Sequence, residues 1–194
     1  MKKNFFIVIV TVLTFAIAAK ADETQKKLTF LQFGLDYATV ISPEKISNND
    51  TGVYDTPAFN AKAGIDLFKW VDLYAAVSFL FFADSNDTSN HYTFIPIRGG
   101  IRVNAFPDIV IYPSLFFEYG KSISNRHTVT KTPTSMTESD APWTGDYYNF
   151  GFGINWNSTD MTVLTLNVER PAIKEKESGE IHVLQIGMEW KIDF

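Results

Sequence analysis

The sequence has no cysteine among its 194 residues. Small exported domains commonly rely on disulfides, so without them such a chain needs a large core, a metal or a membrane for stability. The formal net charge is -5 and no basic cluster stands out, which argues against nucleic acid as a partner. No HxxxH, HExxH or Asp-rich calcium motif occurs, so we expect no metal and no other cofactor.

The first residues, MKKNFFIVIVTVLTFAIAAKADE, are typical of a secretory signal peptide. Two lysines precede an apolar run from Phe5 to Ala19, and the triplet at 19–21 is a small-x-small cleavage site. We therefore expect a signal peptide at 1–21 and one mature domain at 22–194. The alternative, a permanent anchor, is disfavoured because the run is shorter than the ~20 residues that span a bilayer. No later apolar run is long enough for a helical span either.

The rest of the chain alternates between apolar and polar residues with a period of two. The connections after the second, fourth and sixth alternating segments are short, whereas the others are long and polar. This layout predicts an all-β fold, an eight-stranded antiparallel up-and-down transmembrane β-barrel, with a long loop at 122–146. The expected strands are Leu28–Ile41, Pro57–Lys69, Val71–Ala83, Thr93–Phe106, Ile109–Lys121, Tyr147–Trp156, Met161–Glu169 and Ile181–Phe194.

One face of these strands is apolar and the other is polar and rich in glycine. In a soluble barrel such as a lipocalin the apolar face points inwards, whereas in an outer-membrane barrel it faces lipid. We favour lipid, because an eight-stranded barrel holds little more than its own filling side chains and because aromatic residues gather near the strand ends. The interior would then hold a nearly balanced charge network of Lys62, Asp66, Arg98, Arg102, Glu118, Glu169, Glu189 and Lys191.

The last strand ends in MEWKIDF, with alternate apolar residues and a terminal phenylalanine, and an earlier segment reads FIPIRGGIRVNAF. In these motifs the chain resembles the small bacterial outer-membrane barrels of the OmpX, OmpA transmembrane-domain and OmpW type. The resemblance implies a location in the bacterial outer membrane, with membrane lipid and the barrel assembly machinery as partners. It also implies that Trp190, Ile192 and Phe194 carry the assembly signal. We expect a monomer.

Two predictions concern local geometry inside the strands. The short turn at Pro107 and Asp108 would set a register that places Arg98 opposite Glu118, either as a buried pair that fills the interior or as a gate resembling the one proposed for the OmpA barrel. We favour the filled interior. Proline cannot donate to a ladder, so we expect a bulge or displaced strand ends at Pro96 and Pro113.

Three functions are consistent with this architecture. The first is a structural or surface-interaction role, in which a plugged barrel presents its loops, above all 122–146, to an unknown extracellular partner. The second is a narrow channel or a transporter for small solutes, hydrophobic ones included, lined by the inward Tyr74, Leu80, Phe82, Tyr112 and Phe116. The third is a lipid-modifying enzyme in which His127 activates Ser124, but we expect no enzyme because this stretch has loop composition.

Overall fold

The computed structural model describes residues 29–42, 55–68, 70–83, 91–132, 134–159, 162–175 and 179–194. The predicted signal peptide at 1–21 and the predicted strand ends Leu28, Lys69 and Met161 lie outside the described residues. Within the described ranges, no helix is long and apolar enough to cross a membrane. The strands are β1 (Thr29–Ser42), β2 (Asp55–Phe68), β3 (Val71–Ala83), β4 (His91–Asn104), β5 (Ile111–Thr132), β6 (Ser135–Thr159), β7 (Thr162–Glu175) and β8 (Gly179–Asp193).

The eight strands close into a barrel. Each pairs antiparallel with its neighbours in sequence, and β8 pairs back with β1 from Asp193 against Phe30 to Val183 against Val40. The connections after β2, β4 and β6 lie at one end, here called the turn end, and the others lie at the opposite loop end. The predicted eight-stranded antiparallel up-and-down barrel is therefore confirmed, and its closure leaves the wall without a free edge.

The outer surface of the wall is a belt of exposed apolar side chains, here called the lipid belt. Phe33, Leu115 and Phe150 are each more than half exposed, while the residues on either side of them along the strand are buried or turned inwards. The interior holds the charged residues, and Lys62, Glu118 and Glu189 are almost fully buried. The predicted assignment of the two faces is confirmed, because a soluble protein would not expose such a continuous apolar surface.

The prediction of a loop at 122–146 is wrong. β5 continues to Thr132 and β6 begins at Ser135, so these residues form a two-stranded arm that extends from the loop end. β4 supports β5 only as far as His127, and β7 pairs with β6 only as far as Tyr147. The sequence pattern did not predict the arm. Much of the arm is exposed to water, so its strands lack the apolar alternation that is typical of the wall.

The register of β4 against β5 also differs from the prediction. Arg98 pairs with Gly120 rather than Glu118, because β5 begins at Ile111 and the preceding turn is longer than expected. The Arg98 and Glu118 side chains still form an ion pair, since a long side chain reaches its diagonal neighbour on the same face. Neither proline shifts the register: the β3–β4 pairs stay in step on both sides of Pro96, and Pro113 lies at the displaced start of β5.

Candidate functional site

Lys62 lies at the centre of the barrel interior and is fully buried. Its Nζ lies 2.8 Å from Glu189 Oε1, 3.3 Å from Glu118 Oε1 and 3.9 Å from Glu169 Oε1. Lys62 belongs to β2 and these partners to β8, β5 and β7, so one ammonium group binds carboxylates from three other strands. Lys62 Nζ also lies within cation–π range of Phe116, 5.0 Å from its ring centroid.

Two arginines of β4 bind the same carboxylates. The Arg98 guanidinium is ion-paired with Glu118, and its Nη1 donates a hydrogen bond to Ser78 Oγ of β3. Arg102 Nη2 lies 3.2 Å from Glu189 Oε2, and Arg102 Nη1 donates to Gln32 Oε1 at 3.0 Å. Glu118 and Glu189 therefore each contact an arginine as well as the lysine, and buried charges of this kind persist only when they are paired in this way.

Glu169 depends on neutral donors to a greater extent than the other two glutamates. Asn149 Nδ2 donates to Glu169 Oε2 at 2.8 Å, and Asn167 Nδ2 donates to Glu169 Oε1 at 2.6 Å. Asn149 also donates to Glu118 Oε2 at 3.0 Å, so it links the two carboxylates. Both asparagines are buried on the inner face, but the predicted network contained only charged residues and therefore omitted them.

A second charged group fills the turn end. Lys191 Nζ lies 2.7 Å from Asp66 Oδ1, 3.3 Å from Asp193 Oδ1 and 3.7 Å from Asp72 Oδ2. Its ammonium also stands 4.4 Å from the centre of the Phe30 ring. All eight residues of the predicted charge network lie on the inner face, six in the central group and Asp66 with Lys191 in this one. Asp72 is an addition, since it lies in the predicted strand Val71–Ala83 but was not among the eight residues of the predicted network.

The loop end of the interior is apolar. Phe82 and Phe94 pack edge to face at 5.8 Å between ring centroids, and Trp143 from the base of the arm packs against Phe94 at 5.9 Å. We call this cluster the apolar cap, and its buried members are Ala38, Ala58, Leu80, Phe82, Tyr92, Phe94, Tyr147, Ile173, Ile181 and Val183.

The five inward residues proposed as a solute lining do not meet in one place. Leu80 and Phe82 belong to the apolar cap. Tyr74 and Phe116 instead lie against the cations of the central group, 5.7 Å and 5.9 Å from the Arg102 guanidinium, and Tyr112 lies near the turn end. The interior is thus divided into an ionic portion and an apolar portion, and the aromatic residues are shared between them.

A row of three side chains crosses the base of the arm on its outward face. His91, His127 and Asp140 are directly opposite one another on β4, β5 and β6. The two imidazole rings stack at 4.8 Å, and His127 Nδ1 lies 3.0 Å from Asp140 Oδ1, which also accepts a hydrogen bond from Asn125. These contacts hold the pKa of Asp140 below its usual value. Over the described ranges, no group of three or more His, Asp or Glu side chains is arranged to hold a metal ion.

The structure separates the residues that the enzyme hypothesis would bring together. Ser124 lies on the inner face, is buried, and shares a hydrogen bond with Ser122 at 3.0 Å. His127 lies on the outward face, where it contacts Asp140. A histidine can activate a hydroxyl only within hydrogen-bond reach, so these two residues do not form a catalytic pair in this arrangement.

The residues of the implied assembly signal lie on the lipid belt. Trp190, Ile192 and Phe194 are on the outward face at the turn end, and all three are at least 37% exposed. The main chain of Phe194 is bound as well, because its N–H donates to the Thr29 carbonyl at 2.8 Å. The end of the sheet is therefore held by main-chain hydrogen bonds, while the side chains of the signal remain accessible.

Comparison with known proteins gives a match at the level of structure. No protein-family model matches the chain, and no curated protein matches its sequence. The crystal structure of Neisserial surface protein A is 11% identical, with a TM-score of 0.63 over 86% of this chain and 97% of that one. Ail, the attachment invasion locus protein of Yersinia pestis, is also 11% identical, with a TM-score of 0.51 over 87% of this chain and 100% of that one.

The fold is that of the small bacterial outer-membrane barrels. The predicted resemblance is confirmed, and the outer membrane is the setting that the exposed lipid belt requires. A second crystal structure of Ail, in complex with the heparin analogue sucrose octasulfate, matches with a TM-score of 0.53, 11% identity and coverage of 87% of this chain and 100% of that one. At such identities the likeness concerns the fold.

Proposed function

We propose that this chain is a plugged outer-membrane anchor that presents its arm to an extracellular protein. The arm is the observation that carries the proposal, because two paired strands continue well past the strands that flank them. A rigid scaffold that holds a projecting segment is a common arrangement for binding. The proposal includes no enzymatic activity, since His127 and Ser124 point to opposite faces.

The plug is supported by the interior contacts. Lys62, Arg98 and Arg102 bind carboxylates across the barrel, and the apolar cap lies above them. An eight-stranded barrel leaves no continuous channel once such side chains are in place. We therefore expect the purified protein to show no steady ion-selective openings in planar lipid bilayers. Steady openings would contradict the plug and favour the channel hypothesis.

The partner-binding surface is the outer edge of β6 in the arm. Among the described residues, none pairs with β6 on that side between Met136 and Thr144. Such an edge presents main-chain donors and acceptors to an added strand. This stretch carries Glu138 and Asp140 and no lysine or arginine. A strand that contains basic residues would therefore fit best.

Binding of a model strand tests the arm. The probe is a labelled peptide of about ten residues that alternates lysine with threonine and valine, and an acidic peptide of the same pattern serves as its control. The basic peptide should bind the full-length protein in lipid vesicles, and a variant with residues 126–141 replaced by an Asn-Gly turn should lose binding. Equal binding to both proteins would contradict the proposal.

A matched pair of charge reversals makes the test specific. Glu138→Lys lies on the exposed arm, and Asp108→Lys lies exposed at the turn end. The first should weaken binding of the basic peptide, because it removes the charge complementarity, whereas the second should leave it unchanged. Folding of each variant is checked by heat-modifiable gel mobility, so a loss of binding is not confused with a loss of the barrel.

The apolar cap favours a second candidate, binding of a small apolar molecule. Phe82, Phe94 and Tyr147 form an apolar group near the loop end, and Trp143 lies at its edge. A ligand would have to displace some of these side chains, because they already pack against one another. Titration with a long-chain alkane while the total tryptophan fluorescence is recorded tests this candidate. A change that is lost in Trp143→Phe supports binding at the cap, and no change, or a change that persists in this variant, contradicts it.

A further inference from the structure

Apolar side chains continue past the barrel wall at the turn end. Trp70 lies in the connection between β2 and β3, and Phe106, Ile109 and Val110 lie in the connection between β4 and β5. All four are exposed, Phe106 by 66%. The turn end of β6 differs, because its exposed Ser158 is polar. We call the four apolar residues the turn patch.

Main-chain hydrogen bonds fix the turn patch in place. The Ile109 N–H donates to the Phe106 carbonyl at 3.1 Å, which closes the β4–β5 turn. The Asn157 N–H donates to the Val110 carbonyl at 2.9 Å, and the N–H of Asn104, the last residue of β4, donates to the Trp70 carbonyl at 2.8 Å. The patch is therefore a formed surface that joins two turns to each other and to β6.

Phe106 has an unusual backbone. Its φ is 56°, in the left-handed region that glycine and asparagine adopt readily and that bulky side chains rarely adopt. A turn facing water would gain from glycine here, because glycine removes the strain and exposes no ring. A phenylalanine in this conformation is best explained by an apolar environment for its side chain.

The turn patch adjoins the lipid belt. Val103 ends the exposed face of β4, and Ile111 and Trp156 pair with each other at the start of β5 and the end of β6. We infer that the apolar residues of the β4–β5 turn insert into the lipid leaflet at the turn end, with the Phe106 ring as the anchor, while the exposed Asp108 of the same turn stays in the polar headgroup region. The apolar surface is then taller on this side than at the turn end of β6, where the exposed Ser158 is polar, so the barrel tilts to place β4 and β5 deeper in the membrane.

Single-cysteine labelling tests this placement directly, because the chain has no cysteine of its own. Nitroxide labels are placed at Phe106→Cys, Ile109→Cys and Val110→Cys in the full chain, refolded into phosphatidylcholine vesicles. Glu138→Cys on the exposed arm serves as the aqueous reference, and Phe117→Cys on the lipid belt serves as the lipid reference. Two accessibilities of each label are measured, one to oxygen, which concentrates in lipid, and one to a nickel chelate, which stays in water. The result is the ratio of the first accessibility to the second.

The three turn labels should give a ratio close to that of the Phe117 label and severalfold above that of the Glu138 label. If they match the Glu138 label, the turn lies in water or against a water-exposed partner and the inference is wrong. A low ratio at Phe117 as well would show that the barrel is not in the bilayer, which would overturn the embedded turn together with the membrane assignment.

A second experiment separates the anchor from the conformation of the turn. Phe106→Gly relieves the positive φ and removes the ring, whereas Phe106→Trp keeps a large interfacial side chain. In detergent, Phe106→Gly should refold at least as well as the parent chain. In vesicles, it should refold to a lower yield than Phe106→Trp, as measured by heat-modifiable gel mobility. Equal yields of the two variants in vesicles would contradict the anchoring role of the ring.

Discussion

Replacement of Lys62 by methionine tests whether the central ion pairs stabilise the barrel. Loss of one partner of a buried ion pair typically costs about 3 to 5 kcal/mol of unfolding free energy. The structure also indicates where the cost arises. Glu189 keeps Arg102 and Glu118 keeps Arg98, whereas Glu169 keeps only amide donors. The uncompensated charge in the variant is therefore chiefly that of Glu169.

A second substitution should recover part of the loss. Addition of Glu169→Gln to Lys62→Met removes the uncompensated carboxylate, and we expect it to restore about 1 to 3 kcal/mol, the range of coupling between contacting residues. The assay is urea unfolding in lipid vesicles, followed by tryptophan fluorescence and by gel mobility. Glu138→Gln on the exposed arm is the matched control, with an expected change within about 0.5 kcal/mol.

Two results would refute this reasoning. A cost below about 1 kcal/mol for Lys62→Met would mean that the pairs are not desolvated as the burial of Lys62 indicates. A double variant no more stable than the single one would mean that Glu169 is not the group left without a cation.

Three further predictions concern other parts of the molecule. Gly120→Ala should destabilise the barrel by about 1 to 3 kcal/mol, because its Cβ would lie 2.1 Å from a carbonyl oxygen of β4, whereas Gly99→Ala, whose Cβ has 3.9 Å of clearance, should be tolerated in the same unfolding assay. The lowered pKa of Asp140 means that its contribution to arm stability is present above the ordinary aspartate pKa and is lost as the pH falls through the lowered value. His127→Ala should raise the titration midpoint of Asp140, as measured by carboxyl NMR. An unchanged midpoint would refute the contact. Deletion of Phe194 should lower the assembled yield in cells but not refolding in detergent, and equal losses would assign Phe194 to stability rather than to assembly.

The wall of the barrel was predictable because it has two different surroundings. Lipid on one side and a filled interior on the other impose a period of two, as in β8, where Glu189 and Lys191 alternate with Trp190 and Ile192. The arm does not have lipid on one side and a filled interior on the other. The period-two pattern therefore did not predict its strands. Secondary structure in the arm is maintained by the uninterrupted ladder of β5 with β6.

The membership of the interior network follows from the same alternation, but its connections do not. Lys62 on β2 reaches Glu189 on β8 although β1 lies between these strands. No rule for neighbouring strands yields such a contact, because it depends on the length of the side chain and the width of the barrel. The register of Arg98 was missed for a related reason, since it depends on how many residues the β4–β5 turn occupies.

The unequal support of the two arm strands has a mechanical consequence. A partner strand bound to the edge of β6 would pull along the strand direction, parallel to the ladder with β5, which is 22 residues long. Tension in that direction loads many hydrogen bonds of the ladder in shear at once, whereas peeling would break them one after another. Because β4 supports β5 as far as His127, the load would pass from the arm into the wall of the barrel and the surrounding membrane. This geometry suits a tether that must bear force.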